Sequence, residues 1–211
     1  MQSKPYLFST SKHSDTIHVN PLEIFFFETK INFSQYDYII LTSKQSVNAL
    51  KKYDNKTYAD KQALCISQAT AQSFRDIGGR VLEIGAGYGD NLSEIISKYP
   101  KSTKWLFLRA KEVASNFAQV SRENGYSIDE VIVYESRCST EIQTVRVVQD
   151  ATLIFTSPSS IKCFLKYHVL KENYKVIVIG KTTAKALPLY IKPIIASEPS
   201  IQSCLKLINS L

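Results

Sequence analysis

The chain has 211 residues, 44% hydrophobic and 21% charged, with a formal net charge of +7. This is ordinary globular composition, which excludes fibrous, low-complexity and disordered classes, and the length suits one large domain or two of about 100 residues each. No apolar run reaches the roughly 18 residues of a membrane span, and the N-terminal MQSKPYLFSTS lacks the apolar core of a signal peptide. The expectation is therefore a cytoplasmic protein with no membrane partner.

Taken in chain order, short apolar runs alternate with segments of helical period. Strands are expected at 5–10, 38–43, 63–67, 81–85, 105–109, 152–157, 175–180 and 193–197. Helices are expected at 44–53, 69–78, 90–99, 111–124, 140–149, 158–168, 182–191 and 200–210. Strands apolar at nearly every position suit a parallel sheet covered on both faces, and the alternation implies α/β layers with right-handed crossovers. Two segments break the rhythm. HVNPLEIFFF (18–27) and DEVIVYESR (129–137) read as extended without a following helix.

The chain also says nearly the same thing twice. YIILTSKQSVNALKKY (38–53) matches TLIFTSPSSIKCFLKY (152–167), ALCISQATAQSF (63–74) matches VIVIGKTTAKAL (176–187), and VLEIGAGYGDNLSEII (81–96) matches PIIASEPSIQSCLKLI (193–208). Such self-similarity implies two similar substructures. With 18–27 and 129–137 as connecting strands, residues 25–132 form an inserted domain, and 1–20 with 138–211 a composite one.

The repeated turns carry the clearest chemical signal. Thr42, Ser43 and Ser46, and in the second copy Ser157, Ser159 and Ser160, stand where a strand feeds a helix. Ser and Thr there are N-caps, yet the same hydroxyls and free N–H groups bind carboxylates or phosphates. Gln68, Ala69 and Thr70, and Lys181, Thr182 and Thr183, make the same offer at neighbouring strand ends, where open α/β sheets bind ligands. GKTT is not a P-loop, because the rest of that motif is missing. The basic residues are scattered, as in KKYDNK (51–56). They read as solvated helix faces that add a diffuse attraction for an anion, with no dense run that would suggest nucleic acid.

A rival signal is VLEIGAGYGDN (81–91), a strand, a glycine-rich turn and a helix, as in S-adenosylmethionine-dependent methyltransferases. Against it, the next strand ends Leu108-Arg109-Ala110 where a ribose-binding acid is needed, and its repeat partner at 193–208 has no glycine. Cys65, Cys138, Cys163 and Cys204 form no CxxC or Cys/His cluster. They are expected as buried or half-buried free thiols, with no metal site. His13, His18 and His168 lie outside the repeated turns and are expected at the surface.

IILTSKQSVNAL (39–50), VIVYES (131–136), LIFTSPSSIKCF (153–164) and VIVIGKTTAKAL (176–187) followed by SEPS (197–200) together resemble the uroporphyrinogen-III synthase family over nearly the whole chain. The resemblance implies two flavodoxin-like, doubly wound α/β domains joined by a two-stranded hinge, one inserted in the other. It implies cyclisation of hydroxymethylbilane, with loss of water and inversion of the last pyrrole ring, by a monomer that uses no cofactor. A transient contact with the preceding pathway enzyme is the one protein partnership it suggests. The family's hinge tyrosine falls on Tyr134, as the group assisting hydroxyl departure, and its turn residues fall on Thr70, Ser157, Ser159, Thr182 and Thr183. The chain departs from the family after its first strand, reading LFSTSKH (7–13) without an arginine. A methyltransferase built on 81–91, and a non-catalytic module that binds a tetrapyrrole or another anion, remain the competing readings.

Overall fold

Strands that are apolar at every position need cover on both faces. The computed structural model describes residues 4–87, 89–113 and 115–208, and it shows how that cover is supplied. In chain order the strands are β1 (Tyr6–Phe8), β2 (Ile17–Val19), β3 (Leu22–Phe26), β4 (Tyr38–Leu41), β5 (Gln62–Cys65), β6 (Arg80–Ile84), β7 (Lys104–Ala110), β8 (Ser127–Cys138), β9 (Thr152–Phe155), β10 (Lys175–Val178) and β11 (Ile194–Ile195). The helices are α1 (Lys44–Leu50), α2 (Gln68–Arg75), α3 (Gly89–Ile96), α4 (Phe117–Glu123), α5 (Thr140–Thr144), α6 (Pro158–Tyr167), α7 (Lys181–Ala184) and α8 (Ile201–Ile208). The chain divides into two units: Met1–Glu23 with Arg137–Leu211, and Ile24–Ser136. It passes between them inside β3 and inside β8.

In the unit of residues 24–136 successive residues of β4, β5 and β7 face opposite cores. Ile39, Leu41, Ala63, Leu106 and Leu108 pack with Val47 and Leu50 of α1 and with Ala71 and Phe74 of α2. Ile40, Leu64, Trp105 and Phe107 pack with Leu92, Ile95 and Ile96 of α3 and with Phe117 of α4. The other unit repeats the scheme. Phe8, Leu153, Phe155, Val176 and Val178 pack with Ile142 of α5 and with Ile161 and Phe164 of α6, while Leu7, Ile154 and Ile177 meet Cys204 and Ile201 of α8. Each large side chain buried this way contributes about 1.5–3 kcal/mol.

The sheet orders explain the repeat. One sheet runs β11-β10-β9-β1-β2, the other β3-β8-β7-β4-β5-β6. The repeated segments supply β4-β5-β6 and β9-β10-β11, side by side in the same parallel order. The neighbouring pair is β7-β8 in one sheet and β1-β2 in the other, again parallel. The pair follows the repeat in one unit and precedes it in the other, so the two sheets are circular permutations of a single design.

Several local expectations are corrected. Residues 18–27 are not one extended segment: Asn20 and Pro21 divide it into β2 and β3. Between β1 and β2, where no helix is expected, residues 9–16 form bends and turns. The helix expected at 182–191 ends at Ala184, ahead of Pro188, which cannot continue a helix and disfavours helical backbone at the residue before it. The helix expected at 140–149 ends at Thr144, because Val145 is extended (φ −59°, ψ 132°). The helix expected from 111 begins at Phe117, and that expected at 200–210 runs past the described residues. The histidines are half-buried, with His18 Nε2 2.8 Å from the Ser9 carbonyl oxygen and His168 Nε2 2.5 Å from that of Ile142.

The expectation of free thiols fails at two positions. Cys138, the last residue of β8, and Cys163 of α6 form a disulfide across a Cα–Cα distance of 5.3 Å. Cys65 and Cys204 are free and buried, and burial pushes both thiols up to about 11. Among the described residues no helix is long and apolar enough to cross a membrane.

Candidate functional site

In the unit of residues 24–136 the chain winds outward from β4 through β5 to β6, then returns to the other side of β4 for β7 and β8. The order therefore reverses between β4 and β7, the kind of switch point where open α/β sheets bind ligands beyond the strands' carboxyl ends. In the other unit the reversal lies between β1 and β9. The Thr156 hydroxyl and N–H both donate there to the Phe8 carbonyl, at 3.2 and 3.3 Å, and tie the two strands together.

The helix starts over these strand ends share one backbone. Ser43 (φ −160°, ψ 161°), Ser67 (φ −153°, ψ 163°) and Ser157 (φ −157°, ψ 156°) are extended N-caps. Ser43 Oγ accepts the N–H groups of Gln45 (3.1 Å) and Ser46 (3.2 Å), and Ser67 Oγ accepts that of Thr70 (3.4 Å). Ser157 and Ser160 cap each other reciprocally, the two N–H···Oγ bonds being 3.1 and 3.3 Å long. Gly180 (φ 178°, ψ 173°) takes the same place before α7 but has no side chain to offer, so α7 starts without a side-chain cap.

The structure places Thr42, Ser43, Ser46, Gln68, Ala69, Thr70 and Tyr134 at one end of one sheet, and Ser157, Ser159, Ser160, Lys181, Thr182 and Thr183 at the strand ends of the other. Gln68, Ala69, Ser159, Lys181 and Thr182 are exposed, while Ser46, Thr70, Ser160 and Thr183 are buried. Arg109 and Lys111, beside the β4–β7 switch, do not stand as free charges. Arg109 Nε lies 2.5 Å from Glu130 Oε2, though without hydrogen-bond alignment, and Lys111 Nζ lies 2.9 Å from Glu135. Hydroxyl and N–H groups thus dominate that end of the sheet.

Tyr134 reaches this place through an irregularity. β8 pairs in register with β7 as far as Arg109↔Ile132, and the next pair is Ala110↔Tyr134, so Val133 is an extra residue. A bulge of one residue re-aims the side chain that follows it. Val133 and Tyr134, though consecutive, consequently pack into the same core cluster, on the α1 side of the sheet. Tyr134 is 8% exposed, and its Oη lies 2.7 Å from Ser43 Oγ. That contact links β8 to the start of α1 across β7, over the switch point. Sequence reasoning found both residues but not the bulge, whose only sign is the unbroken apolar run of Val131 to Tyr134.

The glycine-rich turn has different geometry. It follows β6, the edge strand of its sheet and two strands from the switch. Its N–H groups are engaged: Gly85 with the Cys65 carbonyl (2.7 Å), Gly87 with that of Ile66 (2.8 Å) and Ala86 with Asn91 Oδ1 (3.0 Å). Gly87 has φ +93°, which favours glycine, and a Cβ on Gly85 would meet the Ile66 carbonyl at 3.1 Å. Glu83 accepts from the Tyr99 hydroxyl (2.8 Å), and burial followed by that bond pushes the phenol up to about 12. Tyr88 of this motif lies outside the described residues. These glycines serve a tight turn in which the N–H groups of Gly85, Ala86 and Gly87 are already bonded.

Two sheets, parallel over the strands of the design that the two units share, each wound both ways from an internal switch and each carrying helix starts over its strand ends, define a two-unit α/β ligand-binding architecture. Sequence and structure comparisons then make the assignment specific. The family model for uroporphyrinogen-III synthase HemD matches residues 5–206. The chain belongs to the uroporphyrinogen-III synthase family, and it is accordingly an enzyme, a cyclising hydro-lyase of tetrapyrrole synthesis. The crystal structure of uroporphyrinogen-III synthetase from Helicobacter pylori is 26% identical, with a TM-score of 0.74 and 99% of each chain covered. A mutant uroporphyrinogen III synthase from the extremely thermophilic bacterium Thermus thermophilus shares the fold at 14% identity and a TM-score of 0.50, over 92% of this chain and 88% of that one. No curated protein sequence matches the chain.

Proposed function

We propose that Tyr134 is the proton donor of the cyclisation. The substrate, hydroxymethylbilane, carries a terminal hydroxyl whose departure needs a proton. Transfer of the phenolic hydrogen to that oxygen breaks the C–O bond, releases water and leaves an azafulvene cation. The substituted carbon of the last pyrrole attacks the cation to give a spiro intermediate, and fragmentation with reclosure inverts the ring. The proton lost as the macrocycle regains aromatic pyrroles returns to the phenolate, so the enzyme is unchanged. The observation that carries this reading is the Tyr134 hydroxyl held 2.7 Å from Ser43 over the strand switch.

The substrate's eight carboxylates explain the character of the turns. Exposed donors at Gln68, Ala69, Ser159, Lys181 and Thr182, with the uncapped first turn of α7, suit carboxylate binding. The buried hydroxyls of Thr70 and Ser160 bond within those turns and shape them from beneath. A net charge of +7 adds a favourable field for such a polyanion. Much of the remaining catalysis is positioning: the reactive cation is held in the fold that gives inversion rather than simple closure. No cofactor enters this chemistry, and the enzyme is taken to act as a cytoplasmic monomer.

The test is isomer analysis. Hydroxymethylbilane is generated in situ, the protein is added, and the oxidised uroporphyrins are separated. Isomer III is the expected product. Isomer I alone, from folded protein, would sink the reading.

A further inference from the structure

We infer that Ser43 is a positioning residue that aims the Tyr134 hydrogen outward and steadies the phenolate left after its transfer, an inference that rests on the proton-donor role proposed for Tyr134. A serine hydroxyl has one hydrogen and two acceptor positions. Two backbone N–H groups, those of Gln45 and Ser46, already point at Ser43 Oγ. What Ser43 has left is its hydrogen, and Tyr134 Oη at 2.7 Å is the atom to receive it. The phenolic hydrogen is then turned away from Ser43, free for an acceptor beyond the strand ends.

Comparison with the sister turn supports the assignment. At Ser157 the equivalent oxygen takes part in a closed capping box, with Ser160 donating its hydroxyl to the Ser157 carbonyl at 2.6 Å. In the first copy the box is open: Ser46 is fully buried and its hydroxyl has no partner among the described residues. The two turns share a sequence pattern, and the capping serine of the first has a tyrosine hydroxyl within hydrogen-bond reach. The Val133 bulge is what brings the tyrosine there.

The experiment compares turnover of hydroxymethylbilane to isomer III by Ser43→Gly, Ser43→Thr, Tyr134→Phe and the Ser43→Gly/Tyr134→Phe double variant. Glycine is nearly as good an N-cap as serine, and this chain already uses one before α7, so Ser43→Gly removes the hydroxyl while keeping the helix. Expected is a fall in kcat of about tenfold, the size of one lost hydrogen bond, with KM within about twofold. Ser43→Thr, which restores a hydroxyl, recovers the loss. In the Tyr134→Phe background Ser43→Gly has no further effect. An unchanged kcat in Ser43→Gly, no recovery with threonine, or the same fall on top of Tyr134→Phe would each overturn the inference while leaving Tyr134 in its role. Full activity in Tyr134→Phe would instead remove the proton-donor role, and the positioning role with it.

Discussion

Ser67 and Gly180 stand at the same point of the repeated turn with the same extended backbone, and only Ser67 caps its helix. The difference leaves the first N–H groups of α7 without a side-chain acceptor. A Cβ built on Gly180 meets nothing within 4 Å, so Gly180→Ser fits without strain. It should leave stability unchanged or raise it by a few tenths of a kcal/mol. It should also raise KM for hydroxymethylbilane about tenfold, because the new hydroxyl competes with a substrate carboxylate for those donors. A thermal melt and a KM measurement on one preparation check both halves.

Tyr134→Phe removes one oxygen from a side chain that is otherwise packed. Turnover should fall about 100-fold, the scale of a lost general acid. Stability should fall only by about 1 kcal/mol, because Ser43 loses its acceptor. Kinetics read beside a urea titration separate the two effects, and a kcat equal to wild type would show that this phenol donates no proton in catalysis.

The Cys138–Cys163 bridge closes a loop of 25 positions. By the loop-entropy estimate that restricts the unfolded chain by about 3.5 kcal/mol. Reduction, or the double change Cys138→Ser/Cys163→Ser, should lower the urea midpoint accordingly. A midpoint unaffected by dithiothreitol would show that the bridge adds no stability in solution.

Cys65 and Cys204 make stability depend on pH in the alkaline range. Burial holds both thiols up to about 11, against an ordinary value of 9.0. Above 9 the unfolded chain therefore releases protons that the folded chain retains, so stability is full below 9 and falls as the pH rises from 9 to 11. The loss should reach about 2–3 kcal/mol for each thiol. Denaturant midpoints at pH 8, 9 and 10, for the wild type and for Cys65→Ala/Cys204→Ala, give the slope and its origin.

The parts of this fold that sequence makes visible are those fixed by local chemistry. Continuous apolar runs mark strands covered on both faces, and the serines after β4, β5 and β9 mark where helices begin, because the capping atom is encoded beside the strand it follows. β2 is three residues long and edges its sheet, too short to show a period. The disulfide joins residues of no shared motif, brought together only when β8 and α6 pack. Pro188 signals that α7 must stop, yet the helical pattern continues past it and hides the early end at Ala184. Of the candidate site the residue types are readable. The hydrogen bond between Tyr134 and Ser43 is not, because it depends on a one-residue slip between β7 and β8 that is settled by tertiary packing.

The permuted order of the two sheets sets a schedule for synthesis. The strands β4 to β8 belong to one uninterrupted stretch, so the unit ending at Ser136 has its whole sheet as soon as that residue is made. β1 is an inner strand whose partner on one side is β9, with Tyr6 against Leu153. It must wait for about 150 further residues, or about 7–30 s of translation. Until then β1 has an open edge on that side. The stretch that follows it is the polar STSKHSD (9–15), and the nascent chain completes its interior half before its outer one.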